Sequence, residues 1–178
     1  MTEQQRTKIS KRLSYILRHA PESVGLKLDE NGWASVHDLM SKFGSPLSIE
    51  ALKEVVETNE KKRFAFNDDS TRIRASQGHS IEVDLAYQPT TPPEFLFHGT
   101  ATRFLDSIKT EGLLKGSRHH VHLSLDEVTA RKVGSRHGSP FILTVKSREM
   151  YEAGYTFFVS ANDVWLTDNV PTQFIIFS

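Results

Sequence analysis

Arg63-Phe-Ala-Phe-Asn-Asp-Asp-Ser-Thr-Arg-Ile-Arg74 decides how the first half of the chain is read. Its centre, Asn67-Asp-Asp-Ser70, is turn chemistry. The flanks, Arg63–Phe66 and Thr71–Arg74, have the apolar and β-branched content of short strands, so the stretch predicts a hairpin. Toward the N-terminus, residues 6–19 set Ile9, Leu13, Ile16 and Leu17 on one helical stripe that Pro21 brings to an end. Ser35–Phe43 and Ser48–Thr58 predict two further helices, the second burying Leu52, Val55 and Val56. Three helices followed by a two-stranded wing describe a winged-helix module.

Toward the C-terminus, Gln88-Pro-Thr-Thr-Pro-Pro-Glu94 carries three prolines in five residues. Proline opposes both helix and central strand, so this is an extended connector, and the domains are expected at 1–88 and 89–178. Beyond it the sequence predicts short strands at Phe95–His98, His120–Ser124, Phe141–Val145, Tyr155–Val159, Asp163–Leu166 and Gln173–Phe177. Helices interrupt them near Thr102–Glu111 and Asp126–Val133. The expected class is α+β, rich in antiparallel pairs.

Composition narrows the possible functions. The 178 residues contain no cysteine, which removes disulfides, iron–sulfur clusters, thiol nucleophiles and cysteine zinc sites. No apolar run approaches the ~18 to 20 residues of a membrane span, and the polar N-terminus lacks a signal-peptide core, so a cytoplasmic protein is expected. Lys+Arg and Asp+Glu are 22 each, and they balance within each half. A polyanion must therefore be held by local clusters. One cluster is Arg6, Lys8, Lys11, Arg12 and Arg18 against Glu3. The other is Lys115, Arg118, Arg131, Lys132 and Arg136 with His119, His120, His122 and His137, against Asp126 and Glu127.

Several segments could carry chemistry, each with a plainer structural reading beside it. Tyr15, Arg18 and His19 share one patch at the end of the first helix, where cations also favour the helix dipole. Arg72 and Arg74 alternate with Ile73 and Ala75, so both guanidinia face one side of the strand. Ser76-Gln-Gly-His-Ser80 and Phe97-His-Gly-Thr100 are tight turns that could also meet an anion. His120, His122 and Ser124 share a strand face, but no nearby carboxylate completes a metal site, and none is expected. Val133-Gly-Ser-Arg-His-Gly-Ser-Pro140 is a Gly/Ser loop with cationic side chains, neither a P-loop nor a Rossmann fingerprint. GxSxG, HExxH and Walker A motifs are all missing. Arginines and glycine turns with scattered acids suit the binding of several phosphates, because guanidinium forks match phosphate oxygens.

Taken in order, Leu17-Arg-His-Ala-Pro21, Gly32-Trp33, Lys62-Arg63-Phe64, Ile73-Arg-Ala-Ser-Gln-Gly-His-Ser80, His98-Gly-Thr100, Arg118-His-His-Val-His-Leu-Ser124 and Gly134-Ser-Arg-His-Gly138 resemble the RNA 2′-phosphotransferase family of tRNA splicing, from about Ile9 to Phe177. The resemblance implies a winged-helix lobe and an ADP-ribosyltransferase-like lobe with the active site between them. It also implies removal of an internal RNA 2′-phosphate with NAD+ as co-substrate. An ADP-ribosylated phosphate forms first, and its breakdown yields RNA with a free 2′-OH and ADP-ribose 1″,2″-cyclic phosphate. The family's essential set maps onto Arg18, His19, Arg74 and Arg118, with Arg72 a weaker candidate for the same cluster. Its NAD pocket maps onto His98, Gly99, Thr100 and Ser124, extended here to His122, Gly134, Arg136 and Gly138. The implied partner is RNA bearing an internal 2′-phosphate; neither metal nor membrane is required, and a monomer is expected.

Two other readings compete. ADP-ribosylation of a protein or of a terminal nucleic-acid phosphate would keep the cofactor pocket, but a protein acceptor leaves the arginine cluster without purpose. A winged-helix DNA-binding regulator needs a basic recognition helix, whereas Ser48–Glu60 holds Glu50, Glu54, Glu57 and Glu60 against Lys53.

Overall fold

Helix α1, Glu3–Arg18, starts where the Thr2 side chain accepts the Gln5 N–H (3.2 Å) and the Gln5 side chain accepts the Thr2 N–H (2.8 Å). This reciprocal capping satisfies two of the donors that a helix start leaves open. The computed structural model describes residues 1–178. In it α1 buries Leu13, Ile16 and Leu17 and stops at His19, before Pro21 opens a 3-10 turn over Pro21–Val24. The chain divides into two compact units, Met1–Ala86 and Tyr87–Ser178.

In the first unit, strand β1 (Ala34–Ser35) leads into helix α2 (Val36–Lys42), capped by Ser35 Oγ on the Asp38 N–H. Helix α3 (Ile49–Glu57) is capped the same way by Ser48 on Ala51. Strands β2 (Phe64–Phe66) and β3 (Arg72–Ala75) form the expected hairpin, with Phe64 opposite Ala75 and Phe66 opposite Ile73. Its turn closes through Ser70 N–H to Asn67 O and Asn67 N–H to Arg72 O. Strand β1 adds to the far side of β3, giving an antiparallel order β1-β3-β2. The sequence does not announce β1, because two residues are too few to display alternation. Leu13, Leu17, Leu39, Phe43, Leu52 and Ile73 form the fully buried centre of this unit.

The second unit contains β4 (Leu96–Ala101), α4 (Leu105–Glu111), β5 (Leu113–Leu114), β6 (Val121–Leu123), α5 (Glu127–Gly134) and β7 (Pro140–Val145). It continues with α6 (Ser147–Glu152), β8 (Phe158–Val159), β9 (Trp165–Thr167), β10 (Asn169–Val170) and β11 (Ile175–Phe177). The sheets are small and wholly antiparallel, in the orders β11-β7-β4, β6-β9-β8 and β10-β5. A reciprocal pair of bonds, Phe97 N–H to Ser124 O (2.9 Å) and Ser124 N–H to Phe97 O (2.7 Å), joins β4 to the end of β6. The protein is thus mixed α/β with small antiparallel sheets.

Some elements differ from expectation for local reasons. Helix α6 is absent from the sequence reading, and no side chain caps its start. Its register is fixed by tertiary bonds from the connector, Ser147 Oγ to Pro93 O (2.7 Å) and Arg148 N–H to Glu94 O (3.3 Å). The strand expected from Asp163 begins only at Trp165. Asp163 lies in the left-handed region (φ 61°), in a turn that bonds back to Ser160.

One approach governs the second unit. A Cβ added at Gly99 on β4 would collide with the Ala130 carbonyl of α5 and lie 2.8 Å from the Gly134 nitrogen. A Cβ at Gly134 would meet the Thr100 backbone at 2.8 Å and 3.0 Å. Backbone cannot yield as a flexible side chain does, so Gly99→Ala should cost several kcal/mol or prevent folding, as overpacking against fixed atoms does. Gly116→Ala, whose Cβ would point into open space at φ 59°, should cost only the left-handed penalty of roughly 1–2 kcal/mol. Urea unfolding of the two variants beside the parent protein measures the contrast.

Candidate active site

In the first unit the segment after β3 folds back onto the end of α1. Ser76 extends the hairpin through its N–H to Arg63 O (2.8 Å) and its Oγ to Lys62 O (2.8 Å). Gly78 then turns the chain at φ 82°, and the Ser80 N–H bonds the Arg18 carbonyl at 2.9 Å. That bond satisfies a carbonyl in the last turn of α1, which would otherwise lack a partner within the helix. Two side chains are organised by this return. The Arg18 guanidinium lies over Gly78, 3.8 Å from where a Cβ would stand, and His19 Nδ1 is hydrogen-bonded to Ser80 Oγ at 2.8 Å. Arg18 is half-buried and His19 exposed.

Arg74 and Arg72 emerge on the same face of β3 with Ile73 buried between them, and they meet different fates. Arg72 pairs with Asp29 at 2.8 Å, so its charge is already matched. Arg74 stacks on the Trp33 ring at 4.5 Å and donates from Nη1 to Asn31 O at 3.4 Å, while its Nε is buried with no hydrogen-bond partner. A guanidinium lying over an indole face is restrained in position by the cation–π attraction. An unpartnered buried donor carries a desolvation cost of about 1–3 kcal/mol. Gln77 Oε1 is likewise buried without a partner. Gln77 and Ser80 belong to the segment that the sequence marks as able to meet an anion, whereas Trp33 is a neighbour that the sequence reading did not place in the site. Trp33 stands 41 positions before Arg74, which leaves no spacing signal.

The N-terminal basic cluster is smaller than the sequence suggested. Arg6 bonds Glu54 at 3.0 Å, and Arg12 donates from Nε to Phe43 O at 2.6 Å while lying over the Phe43 ring. Both hold the fold together, leaving Lys8, Lys11 and Arg18 as the cations of that segment facing outward or toward the loop.

In the second unit His98 sits on β4 opposite Leu143, and its Nδ1 donates to the His122 carbonyl of β6 at 2.9 Å. This fixes the neutral tautomer with Nε2 as acceptor. Burial pushes the His98 pKa down, the His122 carbonyl opposes that, and the nearby Arg118 charge lowers it further. Arg118 itself is exposed on the loop between β5 and β6, its N–H bonded to Lys115 O. Thr100 and Gly134 are buried at the β4–α5 crossing. Ser124 is half-buried beside Phe97, and Arg136 and Gly138 are exposed in the turn after α5. That turn is tied to β4 through Thr102 N–H to Ser139 O (3.0 Å). The glycine at 99, read from sequence as an opening for a ligand, is required by the approach of α5. His120, also lowered by burial, stacks edge-on to Phe158 at 5.5 Å.

Because both His98 and His120 have folded pKa values below their ordinary 6.5, the unfolded chain binds more protons than the folded one just below that pH. Their neutral forms therefore stabilise the fold fully above about pH 6.5, and this is lost as pH falls toward the folded values. The urea midpoint should drop between pH 7.5 and 5.5, and by less in a His98→Asn/His120→Asn double variant. A His98 ring titrating at or above 6.5 by NMR would contradict the burial argument.

Comparison with known proteins bears on this arrangement. Residues 4–169 match the model of the RNA 2'-phosphotransferase, Tpt1 / KptA family. Among similar proteins, each carrying the name "Probable RNA 2'-phosphotransferase", one from Flavobacterium johnsoniae is 57% identical, covering 99% of both chains. One from Pseudomonas syringae pv. tomato is 52% identical over 98% of this chain and 96% of its own. One from a strain of Escherichia coli is 54% identical over 93% and 92%. With the match running through both units and every segment just described, the chain belongs to the RNA 2′-phosphotransferase family.

Proposed function

We propose that this protein removes an internal 2′-phosphate from RNA in an NAD+-dependent reaction that passes through an ADP-ribosylated phosphate. The products are 2′-OH RNA, nicotinamide and ADP-ribose 1″,2″-cyclic phosphate. Three helices and a hairpin support reading the first unit as a winged-helix lobe. The small antiparallel sheets around β4 support reading the second as ADP-ribosyltransferase-like. The observation that carries the reading is Arg74: a guanidinium stacked on Trp33, with a buried Nε that no protein group satisfies. Such a donor suits an anionic oxygen, and Arg18, over Gly78, offers a second guanidinium in the same unit.

In this reading Arg18 and Arg74 grip the phosphate as bidentate donors, and Arg118 offsets the charge that develops as the phosphate changes partners. The 2′-phosphate is already an anion, so no base is needed to activate it, and a carboxylate beside it would repel it. His19 carries the proton traffic of the second displacement, between a ribose hydroxyl and the departing RNA oxygen. Its Nδ1 is hydrogen-bonded to Ser80 Oγ, which orients the ring.

The donor set around β4 suits a ribose–pyrophosphate ligand: neutral His98 with a fixed tautomer, the hydroxyls of Thr100 and Ser124, and exposed Arg136. His98, Gly99, Thr100, His122, Ser124, Gly134, Arg136 and Gly138 are the residues that would hold NAD+. When bound, it supplies an activated ribose carbon as acceptor for the phosphate.

Incubating the protein with an oligoribonucleotide bearing one internal 2′-phosphate, with and without NAD+, tests the reaction. The phosphate should disappear only with NAD+, with stoichiometric nicotinamide release; loss without NAD+, or no loss in either case, rejects the proposal. Arg118→Ala should lower kcat by about 10²- to 10³-fold or cause adducted RNA to accumulate. Arg74→Lys should fail nearly as badly as Arg74→Ala, because lysine neither forks nor stacks.

A further inference from the structure

The outward face of α1 is not used by the chemistry just described. Lys8, Lys11 and Tyr15 recur at spacings of three and four residues and share that face with Gln4 and Arg18. Lys8 and Lys11 are exposed and make no ion pair or hydrogen bond, in contrast to Arg6 and Arg12 on the same helix. Tyr15 is 54% exposed, with neither a ring partner nor a hydroxyl partner. The single acid nearby, Glu3, stands at the far end in the first turn, where it complements the helix dipole. A large aromatic left in water between lysines and the Arg18–His19 end is an arrangement the fold itself does not require.

We infer that this face is a track for single-stranded RNA continuing from the phosphorylated nucleotide. Tyr15 stacks a flanking base, and Lys11 and Lys8 take successive backbone phosphates. The inference rests on the proposed function for its starting point, the phosphate gripped near Arg18 and His19. Dimensions agree. At 1.5 Å per residue, Tyr15, Lys11 and Lys8 lie about 4.5, 10 and 15 Å along the axis from Arg18. A stacked strand rising about 3.4 Å per nucleotide would cover that distance in roughly three to five nucleotides. Charge selects the occupant: the chain as a whole is neutral, yet this face carries Lys8 and Lys11 in no ion pair, with Glu3 alone near them and Arg18 at its other end. An exposed aromatic interleaved with cations suits bases and phosphates better than an acidic peptide, which would leave the ring unused.

Fluorescence anisotropy without NAD+ tests the track, using a short labelled single-stranded oligoribonucleotide made with and without one internal 2′-phosphate, across a salt series. The Lys8→Gln/Lys11→Gln variant should weaken binding of both oligonucleotides. It should also make the log K against log[salt] slope shallower by about 1.4, at ~0.7 per phosphate contact, while Lys8→Arg/Lys11→Arg keeps the parent slope. Tyr15→Ala should bind roughly 5- to 100-fold more weakly with the slope unchanged, and Tyr15→Phe should bind as the parent does. An unchanged slope in the glutamine variant, or a loss confined to the 2′-phosphorylated oligonucleotide, overturns the track. An unmodified parent protein that binds both oligonucleotides equally overturns the phosphate site instead and leaves the track standing.

Discussion

The bond from the Ser80 N–H to the Arg18 carbonyl is the contact on which the placing of Arg18, His19 and Ser80 depends. It closes a helix end and anchors a loop in one stroke. Without it, Gly78 would not lie beneath the Arg18 side chain, and Ser80 would not reach the His19 ring. The residues that resemble catalytic machinery are therefore held by secondary-structure bonding, which is stiffer than any side-chain contact alone. Arg74 is held separately, from β3, by the Trp33 ring and the Asn31 carbonyl.

The second unit relies on a different constraint, the intimacy of α5 with β4. Gly99 and Gly134 let two backbones approach so closely that the strand carrying His98 cannot slide against the helix. The neighbouring bond from His98 to the His122 carbonyl depends on that same strand being fixed relative to β6. Packing and protonation are linked here, since burial of the His98 ring pushes its pKa down.

What the sequence disclosed and what it hid follow from the range of the interactions. The hairpin over Arg63–Arg74 was legible because turn chemistry is local, and two helix starts announce themselves through Ser35 and Ser48, whereas the first helix, expected from residue 6, begins at Glu3. Two-residue strands such as Ala34–Ser35 and Asn169–Val170 exist only because a distant partner lines up with them, and no periodicity survives in so short a run. Within the site, Arg18, His19 and Arg74 stood out through ordered motifs. The physical cause of the difference between Arg72 and Arg74 did not, because it is set by Asp29 and Trp33 across the fold. The reason for glycine at 99 was hidden in the same way, in a helix that follows it by some thirty residues.

Trp33 beneath Arg74 has one more consequence. The chain has two tryptophans, and the other, Trp165, is buried in the second unit. A charged group in van der Waals contact with an indole shifts its emission, so any event that neutralises or draws away the Arg74 guanidinium is written into the intrinsic fluorescence of Trp33. Trp33 is thus a built-in optical reporter of where the Arg74 guanidinium stands, readable without any added dye.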